Sequence, residues 1–327
     1  MRALRARGHE VKVRALFGDH KWYPYPVDID YVSDLAENQG NLELDVAIGT
    51  FWTTVESAMR LPAKLVVHLC QGCEFDFSEF STFKKDIEAV YAHTVPKLTV
   101  GEWLCERIWS RFGKELFPVV CIGEIVDTDM YRPSGWLKNF RKLFSHGFAR
   151  ILIVGMYECS FKGIPIALDA VEQIRREGFQ LHLTRVSPVP LSNEERAHTV
   201  IDTYHGRISP LKMAEVYREA DIFLAPSGIA EGFGLPFAEA IASGLPAVAT
   251  RITSFLSLGQ PHDYAYFVPV GDAKAMAQGL RRLLLDRKLC RHLSRRGTQV
   301  VQERFSGATV AKKMEVYFRR VLNNNSS

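Results

Sequence analysis

The stretch APSGIAEGFGLPFAEAIASGLPAVAT, residues 225–250, decides the fold. The apolar run DIFLAPS ends inside it, a loop bearing Gly232 and Gly234 follows, Pro236 opens a helix, and Gly244 stops that helix before the next apolar run, PAVAT. Strand, glycine loop, proline-initiated helix and strand in that order make a parallel βαβ unit. The free N–H groups of the helix N-terminus then lie beside the carboxyl end of a strand, a suitable place to hold phosphate. Gly232 and Gly234 let the main chain approach a ligand as residues with side chains could not. Glu231 on the loop and Glu239 early in the helix need a reason, because bare carboxylates repel a diphosphate. Accepting hydrogen bonds from sugar hydroxyls is the simplest one.

Short β-rich runs alternate with helical patterns throughout. EVKVRAL, LDVAIGTF, AKLVVHL, KLTVGEW and FPVVCIG occupy the first half; ARILIVG, FQLHLTR, DIFLAPS and PAVAT the second. The alternation predicts an α/β protein with parallel sheets covered by helices, and the weak period-2 pattern predicts strands buried on both faces. Pro165 and Gly178 bracket a helix with Ile166, Ala170 and Ile174 at four-residue steps. Asp272 is the expected N-cap of a helix burying Met276, Leu280, Leu283 and Leu284. A last helix opens at Ser306, with Val310, Met314, Tyr317, Phe318 and Val321 on one face, and ends in a polar tail, Asn323 to Ser327.

At 327 residues the chain suits about two domains of roughly 150 residues each. An apolar share of 47% indicates an ordinary globular protein, and the formal net charge of +4 is a small excess that does not by itself indicate nucleic acid and is compatible with nucleotide or phosphate ligands. Six scattered cysteines, Cys70, Cys73, Cys105, Cys121, Cys159 and Cys290, read as reduced thiols of a cytoplasmic protein. Cys70-Gln-Gly-Cys73 has redox or metal spacing, but no second pair completes a four-ligand zinc set. No run approaches the ~20 apolar residues of a membrane span, and no signal-peptide pattern opens the chain. Trp136, Leu137, Phe140, Leu143 and Phe144 form an apolar stripe beside Lys138, Arg141, Lys142 and Arg150. Such a helix packs between domains or lies on an anionic membrane surface, which makes peripheral contact with the inner face of the membrane an alternative.

Glu231-Gly-Phe-Gly-Leu-Pro-x-x-Glu239, with its seven-residue spacer, resembles the paired-glutamate motif of family 4 retaining glycosyltransferases. The resemblance extends to IVGMYECSFKG (153–163), HGRISPLKMAEVYREADIFLAPS (205–227) and ERFSGATVAKKMEVYFRRVL (303–322), and more loosely to the first half. It implies the GT-B fold, with two Rossmann-like doubly wound parallel-sheet domains facing each other across a cleft. The domains expected are an acceptor-side domain over 1–140, a nucleotide-sugar domain over 141–305, and a final helix and tail over 306–327 crossing back to the first. The boundary follows from Ile122-Gly-Glu-Ile-Val-Asp127 through Tyr131-Arg-Pro133, which resembles the segment leaving the first domain.

The resemblance implies a donor that is a nucleotide diphosphate sugar, a carbohydrate or lipid-linked acceptor, and no cofactor, metal or nucleic acid. Glu239 would bond the donor ribose. Glu231 and the backbone of Gly232, Phe233, Gly234 and Leu235 would hold sugar and phosphates, Gly155 and Met156 would line the donor site, and Arg207 and Ile208 would meet the base. Lys162 matches the lysine that neutralises the departing diphosphate, a charge that develops in the transition state and is best met by a fixed ammonium. One departure stands out: the family has an arginine where this chain has Met156, and Arg185 or Arg207 are the cations that could compensate.

In AKLVVHLCQGCEFDF (63–77) a buried strand ends at Gln71-Gly72, near where relatives carry a histidine-glycine. Gln71 is no general base, which fits a retaining reaction in which the leaving phosphate takes the acceptor proton. His68 reads as a satisfied core histidine. AIGTFWTTVESA (47–58) resembles a subgroup acting in rhamnan or other surface-polysaccharide assembly. Met1 to Arg7 reads as the end of a helix leading through Gly8 into EVKVRAL, so the expectation is that the first strand and its phosphate-facing turn are missing. The leading function is retaining hexosyl transfer; a sugar-nucleotide epimerase and a non-catalytic binding module of the same architecture are the alternatives.

Overall fold

A computed structural model describes residues 1–20, 23–37, 43–133, 147–198 and 200–324. The apolar stripe expected over 136–144 lies outside the described residues. The chain divides into two units: Val126–Ser306 forms the body of one, and most of Met1–Ile125 joins Gly307–Ser327 in the other.

The larger unit is built on six parallel strands: β7 (Ala149–Val154), β8 (Leu181–Ser187), β9 (Thr203–Gly206), β10 (Ile222–Ala225), β11 (Ala247–Thr250) and β12 (Tyr266–Val268). Their order across the sheet is β12-β11-β10-β7-β8-β9. Counted within the unit this is the 3-2-1-4-5-6 order of a doubly wound dinucleotide-binding sheet. The strand order reverses between β7 and β10, which pair directly through Ile222–Ile151, Phe223–Leu152 and Leu224–Ile153. Every residue of β10 and β11 is buried, which is why their sequences are unbroken apolar runs rather than alternating ones.

Helices α5 (Ile164–Arg176), α6 (Asn193–Arg196), α7 (Pro210–Glu219), α8 (Leu235–Ala242), α9 (Thr253–Leu256), α10 (Ala273–Leu285) and α11 (Arg287–Phe305) clothe this sheet. The sequence signals hold: Pro165 sits in the first turn of α5, and Asp272 caps α10 by accepting from the Ala275 N–H. Met276, Leu280, Leu283 and Leu284 enter one core with Ile151, Ile153, Leu168 and Val171. Each such aliphatic side chain contributes about 1.5–3 kcal/mol on burial. Edge strands β9 and β12 were not anticipated. They are short and half-exposed, so neither an apolar run nor a clean alternation marks them.

The smaller unit holds β1 (Val13–Ala15) and β2 (Ile29–Tyr31) as a parallel pair, and β3 (Leu44–Gly49), β4 (Ala63–Cys70), β5 (Lys97–Thr99) and β6 (Val119–Cys121) as a parallel sheet in that order. Helix α1 (Arg2–Arg5) precedes β1; α2 (Trp52–Met59), α3 (Lys84–Ala92) and α4 (Glu102–Phe112) cross between the sheet strands. The last helix, α12 (Gly307–Asn324), lays Val310, Met314, Tyr317 and Phe318 on Leu65, Val67, Leu98 and Ile122. Its buried Glu315 is paired with Arg7 and Arg319. Among the described residues no helix is long and apolar enough to cross a membrane.

Candidate functional site

The switch point between β7 and β10 brings two loops together at the carboxyl edge of the larger sheet. The first runs from Gly155 through a 3-10 turn at Ser160–Lys162 to Gly163; the second runs from Pro226 to Gly234. They are stitched by the Gly228 N–H, which donates to the Phe161 carbonyl at 2.6 Å. Gly163 has a φ of +62°, and a Cβ there would lie 2.2 Å from the Pro226 carbonyl oxygen. Only glycine fits that contact.

The stitched loops place Lys162 against Glu231, Nζ to Oε2 at 2.7 Å, and the same carboxylate oxygen accepts from Ser227 Oγ at 2.8 Å. Glu231 is buried and Lys162 half-buried, so the pair lies where a charge is poorly screened and a fixed partner counts. The repulsion between Glu231 and an incoming diphosphate is thereby reduced: the corner holds one cation for one carboxylate. Ser227 is a member of the site that the sequence had not singled out. Its own carbonyl accepts from buried Thr250 Oγ1, tying the loop to β11.

Beyond Glu231 the chain enters α8. Phe233 is buried with its ring edge-on to Phe305, centroids 5.1 Å apart, so only its main chain is open to a ligand role. Gly234 adopts φ +79°, and a Cβ would stand 2.3 Å from the Phe255 ring. The fold itself therefore requires glycine at 234, whether or not a ligand approaches. Gly232 is half-buried and Leu235 exposed, and the α8 N-terminus they lead into carries N–H groups that the helix itself cannot satisfy.

Glu239, one turn into α8, accepts from the Tyr217 hydroxyl at 3.0 Å and also bonds Tyr131. Burial pushes its carboxyl up to about 7, against the opposing effect of the two tyrosine hydrogen bonds. The rings of Tyr131 and Tyr217 meet edge to face at 5.7 Å. Sequence reading missed both tyrosines; their signal was a polar aromatic placed on the buried side of α7 and in the segment before β7.

The remaining donor-side residues are arranged around this corner. Gly155 follows β7 with φ +147°, its N–H bonded to the Val186 carbonyl. Met156 follows, its sulfur 4.0 Å from the Cys159 thiol, and brings no charge. Arg185 does not replace the missing cation. It is fully buried, donating to Glu195 at 2.7 Å and to the carbonyls of Ile153 and Gly155 at 2.9 Å each, and its guanidinium is committed to holding the end of β7 from within. Arg207 is different: it is exposed at the end of β9 and has φ +45°, the one non-glycine positive φ among the described residues, with its N–H on the Ser187 carbonyl. A bulky residue in that region is strained, and strain of this kind gathers at ligand sites. Ile208 beside it is half-buried.

Gln71 belongs to the smaller unit, exposed on the turn after β4. That turn is fixed from below by the Tyr91 hydroxyl, which donates to the Gly72 carbonyl at 2.9 Å and contacts the Glu74 carboxylate. His68 is a core residue, but it is not satisfied: among the described residues neither ring nitrogen has a partner. Cys70 and Cys73 are both buried with free thiols.

Residues 149–286 match the family model for glycosyl transferases group 1. Phosphatidyl-myo-inositol mannosyltransferase of Mycobacterium leprae is 26% identical over 179 residues, 54% of this chain and 48% of the relative. MMP alpha-(1->4)-mannosyltransferase of Mycolicibacterium hassiacum is 28% identical over 242 residues, 71% of this chain and 56% of the relative. The chain spans about half the length of these curated relatives. Among solved structures, sucrose-phosphate synthase from Thermosynechococcus elongatus superposes with a TM-score of 0.70 at 20% identity, covering 86% of this chain and 74% of that one. Anabaena HepE in complex with UDP and glucose gives 0.66 at 14% identity over 84% of this chain and 77% of that one. These likenesses show the fold, GT-B with two Rossmann-like domains.

Proposed function

We propose that this protein, whose residues 149–286 form a group 1 glycosyl transferase domain, moves a hexosyl group from a nucleotide diphosphate sugar to a carbohydrate or lipid-linked acceptor, with retention at the anomeric carbon. The observation that carries the proposal is the Lys162–Glu231 pair at the switch point of a doubly wound sheet, 2.7 Å apart and beside a helix N-terminus.

In this reading the donor diphosphate takes over the Lys162 ammonium and the amides around Gly232 to Leu235. The bond from the anomeric carbon to the diphosphate oxygen breaks with its electron pair going to that oxygen, and Lys162 stabilises the charge as it forms. The acceptor hydroxyl oxygen bonds to the same carbon from the side the leaving group vacates, and its proton passes to a departing phosphate oxygen. Glu231, held by Ser227, orients the sugar hydroxyls; Glu239 accepts from the ribose. No metal is needed, because a fixed lysine supplies the charge. Mannose is the first sugar to try, since two relatives are named as mannosyltransferases, and uridine the first base, since HepE was solved with UDP. Synthesis of a surface polysaccharide or glycolipid at the cytoplasmic face of the membrane fits this donor and acceptor class.

A non-catalytic binding module is the second reading, favoured by Met156 and by Arg185 being committed to the core. Calorimetric titration with UDP, GDP, ADP and TDP, paired with a search for donor hydrolysis, separates the two. Saturable binding with release of free sugar supports transfer; binding without turnover, or no nucleotide binding at all, overturns transfer and supports the non-catalytic module.

A further inference from the structure

Five aromatic side chains form a continuous row at the carboxyl edge of the smaller sheet. Phe51 and Trp52 stand where β3 hands over to α2; Phe77, Phe80 and Phe83 come from the turns after β4. Ring centroids are 6.2 Å apart for Phe77–Phe80, 5.9 Å for Phe80–Phe51, 6.0 Å for Phe51–Trp52 and 5.9 Å for Trp52–Phe83. The row is open at its two ends, where Phe83 is 50% exposed and Phe77 36%, while Phe51, Trp52 and Phe80 are half-buried. At its other end the Phe77 ring packs over Gly72, so closely that a Cβ there would stand 2.9 Å from Cζ, which joins the row to the Gln71 turn.

The carboxyl edge of a parallel sheet is where α/β proteins bind ligands. Large rings left open there have a use, and their neighbours say which. Thr50, Thr53, Ser81 and Thr82, each next to one of the rings in sequence, are all exposed. Flat apolar faces interleaved with hydroxyls match a pyranose, which has an apolar C–H face and a rim of hydroxyl groups. The charges are balanced: exposed Lys84 and Lys85 are offset by exposed Glu56 and Asp86, and Asp76 is paired with Arg107. An anionic lipid surface would call for a surplus of cations, whereas an uncharged ligand calls for none.

We infer that the aromatic row is a stacking platform for a neutral glycan, and that the acceptor presents sugar rings rather than a lipid headgroup to this unit. The inference rests on the transferase reading, since it names the acceptor class of that reaction. Two or more sugar residues lie along the row, each over a ring face.

Saturation-transfer NMR tests it with neutral gluco-, manno-, galacto- and rhamno-trisaccharides, on the wild type and on Phe83→Ser and Trp52→Ala. At least one trisaccharide should bind through its ring C–H protons, and each variant should weaken it roughly tenfold, the scale of one aromatic stacking contact. Calorimetry with UDP and GDP should be the same in all three proteins, and Phe83→Ser, at an exposed position, should melt as the wild type does. Absence of binding by every trisaccharide, or binding indifferent to both variants, overturns the platform even if nucleotide binding succeeds. Sedimentation with phosphatidylglycerol vesicles that depends on Phe83 would make the row a membrane contact instead. Loss of nucleotide binding alone would sink the transferase reading and leave the platform standing.

Discussion

Lys162 and Glu231, 69 residues apart in sequence, form an ion pair of 2.7 Å, and Ser227 Oγ donates to the same carboxylate oxygen. Each residue sits on a loop whose backbone is fixed by the other loop: Gly228 bonds the Phe161 carbonyl, and Gly163 lies against Pro226. The pair is therefore a product of the strand reversal between β7 and β10.

Replacing Lys162 by Ala should lower turnover roughly 10²–10³-fold, the usual loss on removing one donor aimed at developing charge. The donor KM should change much less. Steady-state kinetics with the cognate nucleotide sugar checks this, and a raised donor KM with kcat unchanged would show that Lys162 serves binding only.

Arg185 is buried with Glu195 and two strand-end carbonyls. Substituting Met for Arg185 leaves a buried carboxylate without its cation and should cost about 3–5 kcal/mol of stability. Substituting both Arg185 and Glu195 by Met should recover most of it, because the two desolvation penalties vanish together. Urea denaturation of both variants measures the difference; a double variant no more stable than the single one would contradict this account.

Nucleotide binding should tighten with rising pH. Burial raises the Glu239 carboxyl to about 7, and only its ionised form accepts two hydrogen bonds from a ribose. Affinity for the cognate nucleoside diphosphate should therefore increase between about pH 6 and about pH 8, and Glu239→Gln should reduce the dependence to what the diphosphate's own ionisation produces. The sign for stability is the reverse. A carboxyl whose folded value lies above its ordinary 4.5 binds more protons in the folded state, so its stabilisation is lost as pH rises from 4.5 through about 7. Melting curves of wild type and Glu239→Gln should diverge in that direction.

His68 is pushed down to about 3 by burial and then by Lys97. The unfolded chain protonates this imidazole below its ordinary 6.5 and the folded chain does not, so stability is lost as pH falls from 6.5 towards 3. The ring packs on Tyr91 at 4.8 Å with no hydrogen bond among the described residues. His68→Phe should therefore stay within about 1 kcal/mol of the wild type at neutral pH, as size-conserving core swaps do. It should also resist acid better. A steeper acid limb in the variant would refute the assignment.

The central strands were legible because each is buried on both faces, and an uninterrupted apolar run has few other uses in a polar chain. Strands β9 and β12 were not, since half-exposed edge positions impose no pattern on four or three residues. Within the site, Glu231 and Glu239 stood out through a motif with fixed spacing, and Lys162 through the resemblance of the segment around Phe161-Lys162-Gly163. Ser227, Tyr131 and Tyr217 did not, because a serine in a loop and a tyrosine on a helix look alike whether they hold a carboxylate or not. Arg185 shows the opposite failure: a cation near the right strand end in sequence is turned inward by the sheet, onto Glu195.

From the sequence alone come the α/β class and the strand–loop–helix unit at 225–250, since these depend on local spacing that hydrophobic burial and glycine geometry enforce. Only the tertiary structure decided which charges are paired. Lys162 meets Glu231, Arg185 is spent on Glu195 and Glu239 is held by two tyrosines because strand order and loop contact join residues that no local pattern connects.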